Sequence, residues 1–126
     1  MQITSAAELL SAYAKGERNF KGVDLSGANL EDAELSEADL SGADFSGANL
    51  SYADLRYANF SEAILVGTDL SGAILTSAKA IGSDFSNADL SDADLRYVNF
   101  SEAILVGTDL SYADTNGADF SGAIGI

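Results

Sequence analysis

The chain of 126 residues contains no cysteine and no histidine, and only 6 Lys+Arg stand against 20 Asp+Glu. Without cysteine there is neither a disulfide framework nor a thiolate metal site. Without histidine the commonest general base and metal ligand is missing. The formal net charge of −14 argues against direct binding to nucleic acid or to anionic membranes, both of which need Lys/Arg clusters. No apolar run approaches the length of a membrane span. The start, MQITSAAELL, lacks the basic and apolar regions of a secretory signal, so a cytoplasmic protein is expected. What the chain has instead is 47% apolar residues, enough to build a core and to set aside a solvated acidic tail. One domain is expected at this length.

Repetition dominates everything else. Leu or Phe occupies nearly every position divisible by five from Phe20 to Leu75, and again from Phe85 to Leu110. Ala80 and Thr115 break the series before Phe120. Two residues before each large residue stands a small one, usually Ala, and between them Asp or Asn, as in Asp39, Asp44 and Asn49. Ser commonly follows, then Gly, Glu, Asp or Tyr. A period of five suits neither a helix nor a simple strand. Inside one pentad, Ala-Asp-Leu reads as a short strand with two side chains facing in, and the next two residues form a bend in which Gly supplies positive φ. Such a strand buries nothing alone, so coils must stack on one another.

The number of pentads per coil follows from a longer echo. DLRYANFSEAILVGTDLSGA at 54–73 returns as DLRYVNFSEAILVGTDLSYA at 94–113. Forty residues are eight pentads, compatible with two, four or eight sides. Two sides leave no room for Leu and Phe, and eight leave a lumen these side chains do not fill. Four sides and a twenty-residue coil are the physically reasonable choice, and the block is then a duplicated two-coil unit. Leu30, Leu50, Leu70, Leu90, Leu110, Phe60 and Phe100 are the expected core column residues. At Ala80, either a small void remains or Ile81 turns inward through a bulge.

The tandem pattern A(D/N)LSG, as in GANLEDAELSEADLSGADFSGANLSYADL, resembles the pentapeptide repeat family, in its cyanobacterial form, over roughly residues 18–124. The resemblance implies an all-β fold, a right-handed quadrilateral parallel β-helix with the Leu/Phe and the residue two before it pointing inward. With four pentads per turn the chain makes about five coils at strand spacing, a rod roughly 25 Å long. Residues 1–17 are expected to form an N-terminal capping helix and 18–126 the β-helix. Within SAAELLSAYAK, Ser5 and Glu8 make a capping box and Gly16 a stop, with Leu9, Leu10 and Tyr13 covering the first coil. No comparable cap appears after Phe120, which favours a homodimer through that end or a fraying tail; the family includes members that dimerise there.

Catalysis is not expected: the abundant Ser residues sit at outward turns, with no His, Cys or inward Lys to activate them. No catalytic, cofactor-binding or metal-binding residues are assigned and no cofactor is expected. The reading is a non-enzymatic scaffold for an unidentified protein partner. The resemblance also implies an alternative, since some family members act on DNA gyrase as acidic mimics of duplex DNA. The net charge of −14 along such a rod approaches the one charge per about 1.7 Å of duplex, although the rod spans only about seven base pairs. Three surface features are candidates. Asp69, Asp89 and Asp109 stack on consecutive coils, where like charges are expected to raise some pKa values or recruit a cation. Ile64, Val66, Ile104 and Val106 replace polar residues on one face, and Arg56, Tyr57, Arg96 and Tyr97 recur at one corner. Taken together these eight are a candidate contact surface, or oddities carried along by duplication.

Overall fold

A computed structural model of the chain describes residues 2–126. Parallel bridges join each outward residue to the one twenty positions on, unbroken from Asn19↔Asp39 to Ile104↔Ile124. Four pentads therefore complete each circuit, and four walls stack along one axis. The first wall is centred on Phe20 and its successors, the second on Leu25, the third on Leu30 and the fourth on Leu35.

The corners explain the five-residue period. At every corner the second bend residue has positive φ, from 59° at Tyr52 to 75° at Gly117. The Ala that follows donates its N–H back to the carbonyl of the large residue, as Ala48 does to Phe45 at 2.9 Å. This is a type II turn, which favours glycine at its third residue. Eleven corners carry a side chain there instead, among them Tyr52, Tyr57, Tyr97 and Tyr112.

The backbone donors can be followed around one pentad. The large residue and the second bend residue donate to the coil ahead, as in Leu50→Asp69 at 2.7 Å and Gly47→Val66 at 2.9 Å. The Asp/Asn position donates to the coil behind, as in Asn49→Ala28 at 2.9 Å. The Ala N–H closes the turn. Only the first bend residue is left without a backbone acceptor, and the carboxylate or amide two residues earlier takes its N–H: Ser46 donates to Asp44 Oδ1 at 2.9 Å. The Ser hydroxyl donates to the same oxygen at 2.7 Å. The Asp/Asn and Ser of the repeat thus complete the turn, because a short side-chain acceptor reaches its own backbone two residues on.

Inside, Leu30, Leu50, Leu70, Leu90, Phe60 and Phe100 are buried, with Ala residues filling the corners. Leu110 differs from expectation. It packs against the core but remains half-exposed, because no coil covers it. Ala80 is buried in register: Phe60 donates to Lys79 at 2.6 Å and Ala80 to Asn99 at 2.8 Å, so no bulge forms. Ile81 stays exposed. The ring of Phe85 on the adjoining wall meets Phe100 edge-on at 5.5 Å. Buried hydroxyls find carbonyls, Thr68 donating to Phe45 at 2.7 Å and Ser83 to Ala80 at 2.6 Å.

Helix α1 runs Ala6–Ala14. Ser5 caps it by accepting the Glu8 N–H at 3.1 Å, and Glu8 reaches back to the Thr4 N–H at 3.0 Å. At the other end Gly16 and Glu17 donate to Tyr13 and Ala12 at 2.9 and 3.0 Å, a Schellman stop around a glycine with φ 99°. Leu9 and Ala12 are the buried residues, whereas Leu10 faces out. A helix presents residues three apart on one side, so Leu9 and Leu10 do not both face the coil. The Tyr13 hydroxyl donates to the Ser36 carbonyl at 2.8 Å and ties the helix to the first coil.

Leu70→Ala should cost about 2–5 kcal/mol, the range for deleting a buried leucine side chain, and Leu110→Ala, on the same column, clearly less. Urea unfolding of the two variants checks this; equal losses would show that Leu110 is covered in solution.

Candidate interaction walls and the acidic ladder

The acidic positions are built by the corners. Asp69, Asp89 and Asp109 form a ladder on the third wall, joined by consecutive bridges. Each holds the bend that follows it, with Oδ1 accepting the N–H of Ser71, Ser91 and Ser111 at 3.0, 2.9 and 2.9 Å. The expected upward shift from like charges does not appear at Asp109. The Ser111 hydroxyl and N–H hold its carboxyl below the usual range, because bonds to the charged form outweigh its slight desolvation. No group of His, Cys, Asp or Glu with metal-holding geometry occurs among the described residues.

Arg56 and Arg96 are engaged within their own pentads. Arg56 forms a two-pronged pair with Asp54, Nε–Oδ1 at 2.9 Å and Nη2–Oδ2 at 2.7 Å. Arg96 repeats this with Asp94 at 2.9 and 2.7 Å, and its Nε lies 3.9 Å from Asp114. The Arg96 guanidinium pulls the Asp94 carboxyl down to about 2, and Arg56 lowers Asp54 in the same way. Tyr57 and Tyr97, which follow these arginines, are 63% and 65% exposed.

The eight contact candidates do not form one surface. Ile64, Val66, Ile104 and Val106 belong to the second wall and its corner, where the bridge order is Asp44, Ile64, Asp84, Ile104, Ile124. Arg56, Tyr57, Arg96 and Tyr97 occupy the corner after the fourth wall. Those two corners are diagonally opposite on a four-sided coil. Asp84 also separates Ile64 from Ile104, so the contiguous apolar stretch of the second wall is Ile104, Val106 and Ile124.

Each isoleucine has a consequence beyond its own side chain. With Ile at 64 and 104, Val66 and Val106 lose the side-chain acceptor that Asp or Asn provides at other corners. The chain gives up a turn-capping bond there and displays β-branched side chains instead, Ile64 at 41% and Val106 at 50% exposure.

The corner residues Tyr52 and Tyr112, 62% and 90% exposed, were not singled out from sequence, nor was Ile74 as part of their surface. The signal was available: positions 52 and 112 share one column, and 57 and 97 share another, at intervals of whole twenty-residue coils. All four tyrosines therefore flank the fourth wall, with Ile74 exposed on it.

The family model described as pentapeptide repeats matches residues 19–51, 53–92 and 88–124, with 8 copies. The chain belongs to the pentapeptide repeat family. Pentapeptide repeat proteins are right-handed β-helices, and the twenty-residue ladder is built to that plan. No curated protein matches at a significant level. Among solved structures the chain is similar to a pentapeptide repeat protein from the cyanobacterium Cyanothece 51142, 28% identical over 96% of this chain and 100% of that one, TM-score 0.49. It is similar to one from the Arabidopsis thaliana thylakoid lumen, 37% identical over 70% and 61% of the two chains, TM-score 0.47. It is also similar to QnrB1, a plasmid-mediated fluoroquinolone resistance protein, 25% identical over 85% and 68%, TM-score 0.50.

The paired carboxyls give this pentapeptide repeat protein an acid limit. A carboxyl whose folded pKa is depressed binds fewer protons than the unfolded chain, so its contribution is complete above the unfolded value and lost as pH falls through the folded one. For Asp94 that window runs from 3.8 down to about 2. The urea midpoint should fall across this range, and Asp94→Asn should flatten the fall. A midpoint that rises on acidification would mean that relief of general repulsion dominates.

Proposed function

We propose that this protein is a non-enzymatic β-helical scaffold that presents its second wall to a protein partner. The observation that carries the reading is the exchange at Ile64 and Ile104, where a turn-capping side chain is given up for an isoleucine that is exposed at 64 and half-exposed at 104. Neither isoleucine joins the buried core. A partner that covers the wall removes Ile104, Val106 and Ile124 from water and recovers roughly 25 cal/mol per Å² of apolar area. The interior supports the same reading, being filled by stacked Leu, Phe and Ala side chains. Open grooves flank the N-terminal segment, around Ile3, Ala7 and Lys15 and around Lys21 and Val23.

The reading includes a homodimer through the coil that carries Leu110, Phe120 and Ile124. Leu110 and Phe120 are half-buried and Ile124 is 59% exposed, so a second copy meeting this coil end to end covers apolar surface on both partners. Sedimentation equilibrium measures it, with a monomer at all concentrations counting against it.

A second reading has its own observation: a ladder of carboxyl side chains, Asp69, Asp89 and Asp109, on consecutive coils at one strand spacing of about 4.8 Å. It makes the chain an acidic duplex mimic acting on DNA gyrase or a related type II topoisomerase. The likeness in fold to QnrB1 supports it at the level of architecture. A supercoiling assay with purified protein decides: neither inhibition nor protection at micromolar concentration rejects this reading.

For the scaffold, Ile64→Asn/Ile104→Asn restores both turn caps without adding charge. The variant should be at least as stable as the parent in thermal unfolding, yet lose partners captured from the native extract. An unchanged set of captured partners would exclude the second wall.

A further inference from the structure

The fourth wall is unlike the other three. It is flanked by Tyr52, Tyr57, Tyr97 and Tyr112, and every exposed tyrosine of the chain is among them; the fifth, Tyr13, is half-buried within α1. Two of the chain's three arginines, Arg56 and Arg96, lie at its edge. All four tyrosines have φ between 59° and 63°, backbone geometry that glycine adopts without cost and other residues rarely take. Eight of the eleven side chains held in this geometry flank the fourth wall, the four tyrosines among them, and strain gathered at one surface is associated with its use.

The rings are also accommodated. A side-chain carbon added at Gly72 would fall 2.5 Å from Tyr52 Cε1, and one added at Gly117 would fall 2.5 Å from Tyr97 Cδ1. Tyr52 and Tyr97 therefore lie over a glycine of the next coil, where a larger residue would displace the ring. Along each corner, carboxylates stand beside the rings: the columns read Asp32, Tyr52, Gly72, Asp92, Tyr112 and Glu37, Tyr57, Ser77, Tyr97, Gly117. The arginines do not cancel this charge, because each is already spent on Asp54 or Asp94.

We propose that the fourth wall is a docking surface for an arginine-bearing basic segment of a partner protein, whose guanidinium groups stack on Tyr52, Tyr57, Tyr97 and Tyr112 beside the corner carboxylates. Charge complementarity selects the occupant: the wall is acidic, its own cations are paired, and its aromatic faces attract a planar cation. The molecule already contains one such contact, with the Arg18 guanidinium 3.7 Å from the centre of the Tyr13 ring. Arginine is favoured over lysine because its flat, weakly hydrated head stacks on aromatic rings. A second copy of this chain is disfavoured as occupant by its net charge of −14. The inference rests on the scaffold reading and names a different wall and a partner chemistry for it.

Fluorescence anisotropy with a labelled alternating Arg-Gly peptide tests it, with the matching Lys-Gly peptide as comparison. In the variant Tyr52→Gly/Tyr57→Gly/Tyr97→Gly/Tyr112→Gly every charge is kept and backbone strain is relieved, so circular dichroism and thermal unfolding should show an intact fold. It should bind the Arg-Gly peptide at least about tenfold more weakly than the parent. Asp69→Asn/Asp89→Asn/Asp109→Asn, which removes charge from the third wall, should weaken binding by less than about threefold. The proposal is overturned if the glycine variant binds like the parent, if the third-wall variant loses as much, or if Lys-Gly binds as tightly as Arg-Gly. Should the peptide fail while a partner is captured through Ile64 and Ile104, this inference falls and the scaffold reading stands.

Discussion

Every fifth residue this chain must turn a corner without stranding a backbone N–H. Stacked coils provide acceptors for three donors of each pentad and the turn itself provides one. The remaining donor, on the first bend residue, has none in the backbone. Its partner is the Asp or Asn two positions earlier, whose side chain is just long enough to reach it. Since an unpaired donor costs about as much as a lost hydrogen bond, this single contact accounts for the polar residue between Ala and Leu in nearly every repeat.

Much of the acidity has the same origin. The carboxylates of Asp69, Asp89 and Asp109 are fastened to their bends, and at Asp109 the bonds from Ser111 favour the ionised form. A ladder of like charges is thus tolerated because each member closes its own turn. The departures from the rule then gain meaning. Ile64 and Ile104 leave a bend uncapped, and four tyrosines occupy a backbone conformation that suits glycine. In both cases local stability is lost and an exposed side chain is gained.

The period of five, the inward Leu/Phe column and the twenty-residue coil were legible because each is a one-dimensional rule repeated along the chain. The capping of α1 by Ser5 and its stop at Gly16 were legible for a similar reason: both depend on residues within one turn. Leu10 was misplaced because two adjacent helical residues point about a quarter-turn apart, which a list of apolar letters does not record. Leu110 obeys the repeat but not its burial, because burial needs a neighbouring coil. At Ala80 neither a bulge nor an inward Ile81 forms, since the ladder bonds on both sides keep register and the Phe85 ring packs nearby.

The candidate surface was harder to read. Position along the chain identifies which residues share a column, yet Ile64 and Arg56 are near neighbours in sequence and stand on opposite sides of the coil. The pairing of Arg56 with Asp54 also removes a cation that the composition counts as free. By itself the sequence determined the fold, its period and its inward and outward positions, because those follow from local turn chemistry and alternation. Only the stacked structure decided which exposed residues face the same way, since that depends on the closure of each four-sided coil over the one before it.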